Sequence, residues 1–201
     1  MSSEYKPRCT WPGLEHPEYI HYHDTEWGVP VADSQKLFEK LILEGFQSGL
    51  SWLTILRKRE TFRAAFHNFD AARIARYTDK DRARLMADAG IIRNRLKIDA
   101  TIDNAKAYLA LQEKRELAAV LWDYFDGKPQ INAYAAHDDV PPQTDLSARI
   151  SKALKTEGFR FVGPTTVYAF LQSMGFINDH LTSCHRHAAC AKLQRRFKAP
   201  K

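Results

Sequence analysis

The sequence predicts an all-α protein. Apolar residues return at intervals of three and four along most of the chain, and the stretches they define begin at capping residues and end at glycines. No stretch alternates apolar with polar residues as a half-buried strand would, and no internal repeat or low-complexity segment breaks the pattern. About eight to ten helices are expected. With 201 residues, 44% of them hydrophobic, the chain can bury a sizeable core as one domain spanning 1–201.

Residues 1–32 carry Pro7, Pro12, Gly13, Pro17, Gly28 and Pro30, which leave room for little more than a helical turn near 19–27. Asp33 or Ser34 caps the next helix, whose stripe is Leu37, Phe38, Leu41 and Ile42 and whose natural stop is Gly45. Glu44 then falls in the last turn, at the negative end of the helix dipole, so its task is expected to be something other than stability. A second helix over 50–66 turns Trp52, Ile55, Leu56, Phe62 and Phe66 inward and Arg57, Lys58 and Arg59 outward. Asp70 caps 71–76, and Thr78 with Asp81 forms a capping box for a helix through Leu85, Met86 and Ala89, closed by Gly90. Two further stripes follow, Ile98, Ile102, Ala105 and Leu109, then Leu117, Val120, Leu121 and Tyr124. Residues 126–144 are polar and contain Pro141 and Pro142, and read as a surface loop. Helix resumes with Leu146, Ile150 and Leu154 to Gly158, turns through a short hairpin, and restarts at Pro164 to run to Met174 and Gly175.

Composition narrows the function. No apolar run approaches the roughly 20 residues that span a bilayer, and residues 1–10 lack the apolar centre of a signal peptide, so a cytoplasmic location without a membrane partner is expected. The net charge of +6, with basic runs at 57–59, 93–97 and 195–196, leans towards a polyanion, although such runs are often solvated helix faces. Three cysteines (Cys9, Cys184 and Cys190) are too few for a disulfide framework and in a reducing compartment point towards a metal.

Three groupings carry chemistry. Residues 19–52 crowd Tyr19, Tyr22, His23, Trp27 and Trp52 around Glu44, which reads either as a pocket for an electron-poor ring or as plain aromatic core. In the helix-hairpin-helix over 146–175, the backbone N–H groups near Gly163, Thr165 and Thr166 can hold a phosphate at a positive helix terminus without reading a base. Finally, His180 and Cys184 are four apart, on one face if helical, and with Cys9 and His23 they would close a tetrahedral zinc site. Four protein ligands leave no position for an activated water, so such a zinc would be structural, joining the N-terminal segment to the C-terminal one. His185, His187 and Cys190 offer competing donors.

The motifs CTW (9–11), YIHYHDTEWGVP (19–30), LEGFQSGLSW (43–52), AGIIRNR (89–95), FRFVGP (159–164) and NDH (178–180) followed by Cys184 resemble the DNA-3-methyladenine glycosylase I family of helix-hairpin-helix glycosylases. The resemblance runs from Cys9 to Cys184. It implies an all-α fold of two lobes with a base pocket between them, and one structural Zn2+ on Cys9, His23, His180 and Cys184. It also implies a base pocket of Trp11, Tyr19, Tyr22, Glu44 and Trp52, with Glu44 as the catalytic group. The expected enzyme is a monomer that extrudes 3-methyladenine from alkylated double-stranded DNA and hydrolyses its bond to the sugar. No lysine is placed to demand a Schiff base, so strand cleavage is not expected. Asp179 is read as support for the neighbouring metal ligand His180 rather than as a catalyst. Two rivals stay open: a non-catalytic, zinc-stabilised DNA-binding module, and a glycosylase of different lesion range, tuned near Phe46 and Gln47.

Overall fold

The computed structural model describes residues 6–200 and is predominantly helical, with eleven α-helices among the described residues. Helix α1 (Pro17–Thr25) starts on a proline at its first turn and buries Tyr22 and His23. Helix α2 (Ser34–Gln47) is capped by Asp33, whose carboxylate accepts from the Lys36 N–H at 3.0 Å. Gly45 does not stop it. The helix continues to Gln47, and a Cβ on Gly45 would meet Cβ of Phe161 at 3.3 Å, so the glycine is where the later hairpin lies against α2. The true end is closed by Lys97, whose ammonium donates to the Phe46 and Ser48 carbonyls at 2.8 and 2.6 Å. A cation on unpaired C-terminal carbonyls is favourable, and it removes buried Lys97 from the exposed basic run that the sequence suggested.

The expected helix over 50–66 is two, α3 (Trp52–Arg57) and α4 (Arg59–Ala65), broken at Lys58. The break returns Arg59 to Glu26 in a two-pronged pair at 2.5 and 2.9 Å, while Arg57 pairs with Glu18 at 2.6 Å. The 57–59 run is therefore largely committed to acidic partners within the chain. Helix α5 (Ala71–Ile74) is capped by Asp70, and α6 (Asp79–Ala87) by the expected Thr78–Asp81 box. Helix α6 ends before Ala89, because Asp88 is extended and its carboxylate accepts from the Gly90 N–H at 2.7 Å. Helices α7 (Arg95–Gln112) and α8 (Leu117–Asp123) follow.

Residues 126–144 are not purely loop. Strand β1 (Gln130–Ile131) pairs in parallel with β2 (Ile177–Asn178), which corrects the expectation of no strand. Two residues are too few to show an alternating pattern, and the pairing depends on a partner 47 positions away. Helices α9 (Asp145–Thr156) and α10 (Pro164–Ser173) form the expected pair around Gly158. Their connection is fixed from outside: the Asn104 side chain accepts from the Arg160 N–H at 2.6 Å and donates to its carbonyl at 3.1 Å, and Ser151 donates to the Val162 carbonyl at 2.6 Å. Helix α11 (His185–Arg196) closes the chain.

One continuous hydrophobic core, centred on fully buried Phe38, Phe46, Phe62, Phe66, Trp122, Phe170 and Phe176, runs through these elements, with α2 packed against α3, α7, α8 and α10. A small separate cluster joins Cys9 to Leu181 and Cys184. Gly175, at φ +70, locks the N-terminal segment to the end of α10: a Cβ there would lie 2.3 Å from the Pro30 nitrogen and 2.4 Å from the Val29 carbonyl carbon. Both conformation and space exclude a side chain, so Gly175→Ala is expected to cost about 3 kcal/mol and lower the thermal midpoint by about 10 °C in calorimetry.

Candidate active site

A cavity of about 290 Å³ lies among the N-terminal segment, α1, α2, α3 and α10, near the lower end of the size range of small-molecule pockets. Its lining brings together all five residues expected of a base pocket, Trp11, Tyr19, Tyr22, Glu44 and Trp52. The rings are not merely core. Tyr19 and Trp11 are only partly buried and sit 5.6 Å apart, centroid to centroid, while Tyr22 and Trp52 are 5.4 Å apart and buried. Local sequence explains these positions. Tyr19 and Tyr22 are three apart on α1, and Trp52 opens α3 behind Ser51, whose hydroxyl accepts from the Thr54 N–H at 3.3 Å. The indole N–H of Trp52 is buried without a protein acceptor.

Glu44 is 4% exposed and does not stand alone. Lys40, one turn earlier on α2, places its ammonium 3.0 Å from Glu44 Oε1, donates to the Tyr22 hydroxyl oxygen at 2.9 Å, and lies 3.2 Å from the centroid of the Trp52 ring. The Ser173 hydroxyl, bonded to the Phe170 carbonyl, is 3.4 Å from the same Glu44 oxygen. Burial pulls the Lys40 ammonium down to about 8 even though the Glu44 charge opposes the shift. Burial together with the Glu44 charge pushes Tyr19 up to about 12 and Tyr22 well above its ordinary value, so both phenols keep their protons at neutral pH. Sequence inspection missed Lys40, although its spacing of four from Glu44 was the available signal.

Sequence inspection also missed His137, Val140, Gln172 and Ser173 as lining residues. His137 and Val140 come from the segment read as a featureless loop. Of the two positions singled out for tuning, Gln47 lines the cavity and Phe46 is packed in the core. Asp179 also lines the cavity, but its carboxylate is taken up by Asn132 at 2.6 Å, the Tyr168 hydroxyl at 2.5 Å and Gln172 at 2.8 Å. Its bonds run to the cavity rim and the β1 segment rather than to His180, which corrects the reading of Asp179 as support for a metal ligand.

Beside the cavity, Cys9, His23, His180 and Cys184 converge, all buried, with ligand atoms within 4.8 Å of one another. Cys9 Sγ lies 3.6 Å from His180 Nδ1, and Cys184 Sγ lies 3.6 Å from His23 Nε2 and 3.7 Å from His180 Nδ1. Tetrahedral bonds of about 2.3 Å to sulfur and about 2.0 Å to nitrogen would set these separations at about 3.5 Å, so the donor set fits a zinc-sized ion. The outer hydrogen bonds fit as well: His23 Nδ1 is 2.8 Å from Asp24 Oδ1, and His180 Nε2 is 3.1 Å from the Trp27 carbonyl. Although partial burial pushes the Asp24 carboxyl up, hydrogen bonds from Arg8 and His23 outweigh that and hold it at about 2. His23, which the sequence places both in the aromatic grouping and in the metal set, lies in this cluster. His180 and Cys184 are not on one helix: His180 precedes the last turn of the chain before α11, and Cys184 is the N-cap of α11. Cys190 faces the Trp27 carbonyl and Arg186 outside the cluster, and His187 bonds the Asn132 carbonyl. Gly28, at φ +81, packs tightly against the cluster, where a Cβ would lie 3.1 Å from His180 Nε2. Trp27 spans the two sites, edge-on to Trp11 at 4.5 Å and to His180 at 4.5 Å.

Gly163, Thr165 and Thr166 lie at the N-terminus of α10, with Gly163 as its N-cap, Thr165 exposed, and open space where a Gly163 side chain would stand.

Known proteins share this fold. The sequence model of the methyladenine glycosylase family matches residues 11–187. A DNA-3-methyladenine glycosylase of Haemophilus influenzae is 51% identical over 178 residues, 88% of this chain and 96% of that protein. A crystal structure of 3-methyladenine DNA glycosylase I superposes with a TM-score of 0.88 at 50% identity, covering 90% of this chain and all of the other. A Staphylococcus aureus structure described as the structural basis of 3-methyladenine recognition superposes with a TM-score of 0.85 at 39% identity, covering 87% and 94%. With the family's pattern extending over most of its length and an aromatic cavity around a buried carboxylate, this chain belongs to the methyladenine glycosylase family.

Proposed function

We propose that this protein is a monofunctional DNA-3-methyladenine glycosylase of base-excision repair. The observation that carries the reading is the cavity in which the Trp52, Tyr19, Tyr22 and Trp11 rings surround the Glu44 carboxylate. Methylation at N3 makes adenine cationic and weakens its bond to the sugar. Aromatic faces in a water-poor site attract such a ring by about 2 kcal/mol, roughly thirtyfold. Tyr22, whose hydroxyl oxygen already accepts from Lys40, has its own proton left to donate to a base edge. The Glu44 carboxylate supplies negative charge beside the base and the sugar cation that develops as the bond breaks. Water completes hydrolysis and leaves an abasic site.

The substrate is double-stranded DNA, acted on by a monomer in the cytoplasm, with the lesion extruded from the stack because the damaged pair is the cheapest to open. The α9–α10 unit serves as the helix-hairpin-helix, its Gly163, Thr165 and Thr166 backbone gripping a phosphate. Gly163→Ala tests this. Its φ of −63° and the open space around it accommodate a methyl group, so the fold is kept, but the methyl lies where the phosphate would approach. The expected result is about tenfold weaker duplex binding with an unchanged thermal midpoint. A structural Zn2+ on Cys9, His23, His180 and Cys184 would hold the N-terminal segment, with Trp11, against the C-terminal one and take no part in the reaction.

The deciding experiment is chromatography of free bases released from alkylated duplex DNA. Release of 3-methyladenine above the uncatalysed rate supports the reading. DNA binding with no base released would favour the non-catalytic module, and release of other bases in preference would indicate a different lesion range.

A further inference from the structure

The cavity's rear side holds a charge that a selector for cations would be better without. Tyr22 and Trp52 line both the cavity and a second one of about 380 Å³ behind it, whereas Glu44 lines only the front and Lys40 only the rear. The ammonium thus covers one face of the Trp52 indole at 3.2 Å and pairs with Glu44 at 3.0 Å. Its three hydrogens meet a carboxylate, a phenol oxygen and a ring, which leaves the wall facing the cavity with no net charge. A cationic base stacked on the front of Trp52 would be separated from Lys40 by little more than the thickness of the ring, where like charges repel strongly in a water-poor site.

We propose that Lys40 is the specificity-determining residue of this pocket, a fixed counter-charge behind the Tyr22–Trp52–Glu44 wall that offsets the attraction for cationic bases and so admits neutral ones more evenly. The inference rests on the base-pocket reading above and deepens it. It makes this glycosylase less strict towards positively charged lesions than its aromatic lining alone would be, for as long as Lys40 keeps its proton. Burial has already brought that proton's release to about 8, within reach of experiment. Other charged and titratable groups surround Lys40. From α1 they are Tyr22 and Glu26, from α2 Lys36, Glu39 and Glu44, and from α4 Arg59 and Arg63; α3 contributes only Trp52 and the end of α10 only Met174. Of these, burial shifts Tyr22 upward, and the Glu26–Arg59 pair holds Glu26 down and Arg59 up.

The test is single-turnover kcat/KM for 3-methyladenine release between about pH 7 and about pH 9, corrected for uncatalysed loss, on the wild type, Lys40→Met and Lys40→Gln. The wild type is expected to rise about tenfold through a midpoint near 8, as the ammonium is lost and the Glu44 charge is freed. Lys40→Met and Lys40→Gln are expected to be flat over that range and about tenfold above the wild type at its acidic end, with the change in KM rather than kcat. A wild-type profile that is flat, or variants that keep its slope at lower activity, would overturn the inference while leaving the glycosylase reading intact. No release by the wild type at any pH would remove the pocket reading and this inference together. Should one variant fold poorly, the other and the wild-type profile still decide.

Discussion

Glu44→Gln is expected to lower the single-turnover rate of 3-methyladenine release about a hundred- to a thousandfold, the loss typical of removing one preorganised electrostatic group. The stability consequence is the less obvious part. Removing one member of a buried ion pair ordinarily costs about 3–5 kcal/mol, because the other is left as an uncompensated charge. Here the partner is Lys40, whose ammonium is already down at about 8 with Glu44 in place. Without the carboxylate it can shed its proton at neutral pH rather than remain charged, and the glutamine carbonyl can still accept across the same 3.0 Å gap. The variant is therefore expected to lose activity while its thermal midpoint falls by only a few degrees, about 1–2 kcal/mol. Unchanged release by a folded Glu44→Gln protein would remove the carboxylate from the mechanism. Collapse of the fold would show that the pair is structural, and the double variant Lys40→Met/Glu44→Gln, which removes both charges, separates the two outcomes.

The second large effect concerns the Cys9, His23, His180 and Cys184 cluster. Metal analysis of purified protein is expected to find about one zinc per chain, and Cys9→Ala to lose it, together with about 10 °C of thermal midpoint. The damage should be local first. The cluster has only a small core of its own, Cys9, Leu181 and Cys184, separate from the main one. Loss of the ion frees the ends of the chain from each other before it reaches α2 or α7, and limited proteolysis should cut the N-terminal segment early. Because Trp11 and Trp27 rest on this cluster, base release should fall as well. Cys190→Ala should keep the metal, since Cys190 points to the Trp27 carbonyl and not into the cluster. Absence of stoichiometric metal in the wild type would defeat the zinc proposal outright.

Much of the site is legible in residue types and short spacings. The Thr78–Asp81 box and the Asp33 and Asp70 caps stand where the sequence puts them, because each is a contact within one turn. The aromatic and acidic members of the pocket are likewise announced by their density over 19–52. What fails is whatever depends on a distant partner. Gly45 reads as a stop because nothing local shows Phe161 lying against it, and the 93–97 run reads as a basic surface because nothing local shows Lys97 folding onto the end of α2. His180 and Cys184 meet in one cluster with Cys9 and His23 for a reason other than the helical spacing that suggested it.

Lys40 and Glu44 mark the boundary most clearly. Four residues apart on a helix, they were always going to be neighbours, and the sequence alone determined that, along with the helical architecture, the carboxylate and the rings. Only the tertiary structure decided what the pair is worth, by closing α1 and α3 over it so that both groups are buried and an aromatic ring is laid against the ammonium. Spacing fixes which groups can meet within a helix, but the dielectric in which they meet depends on what other segments bring, and in electrostatics the surroundings set the energy.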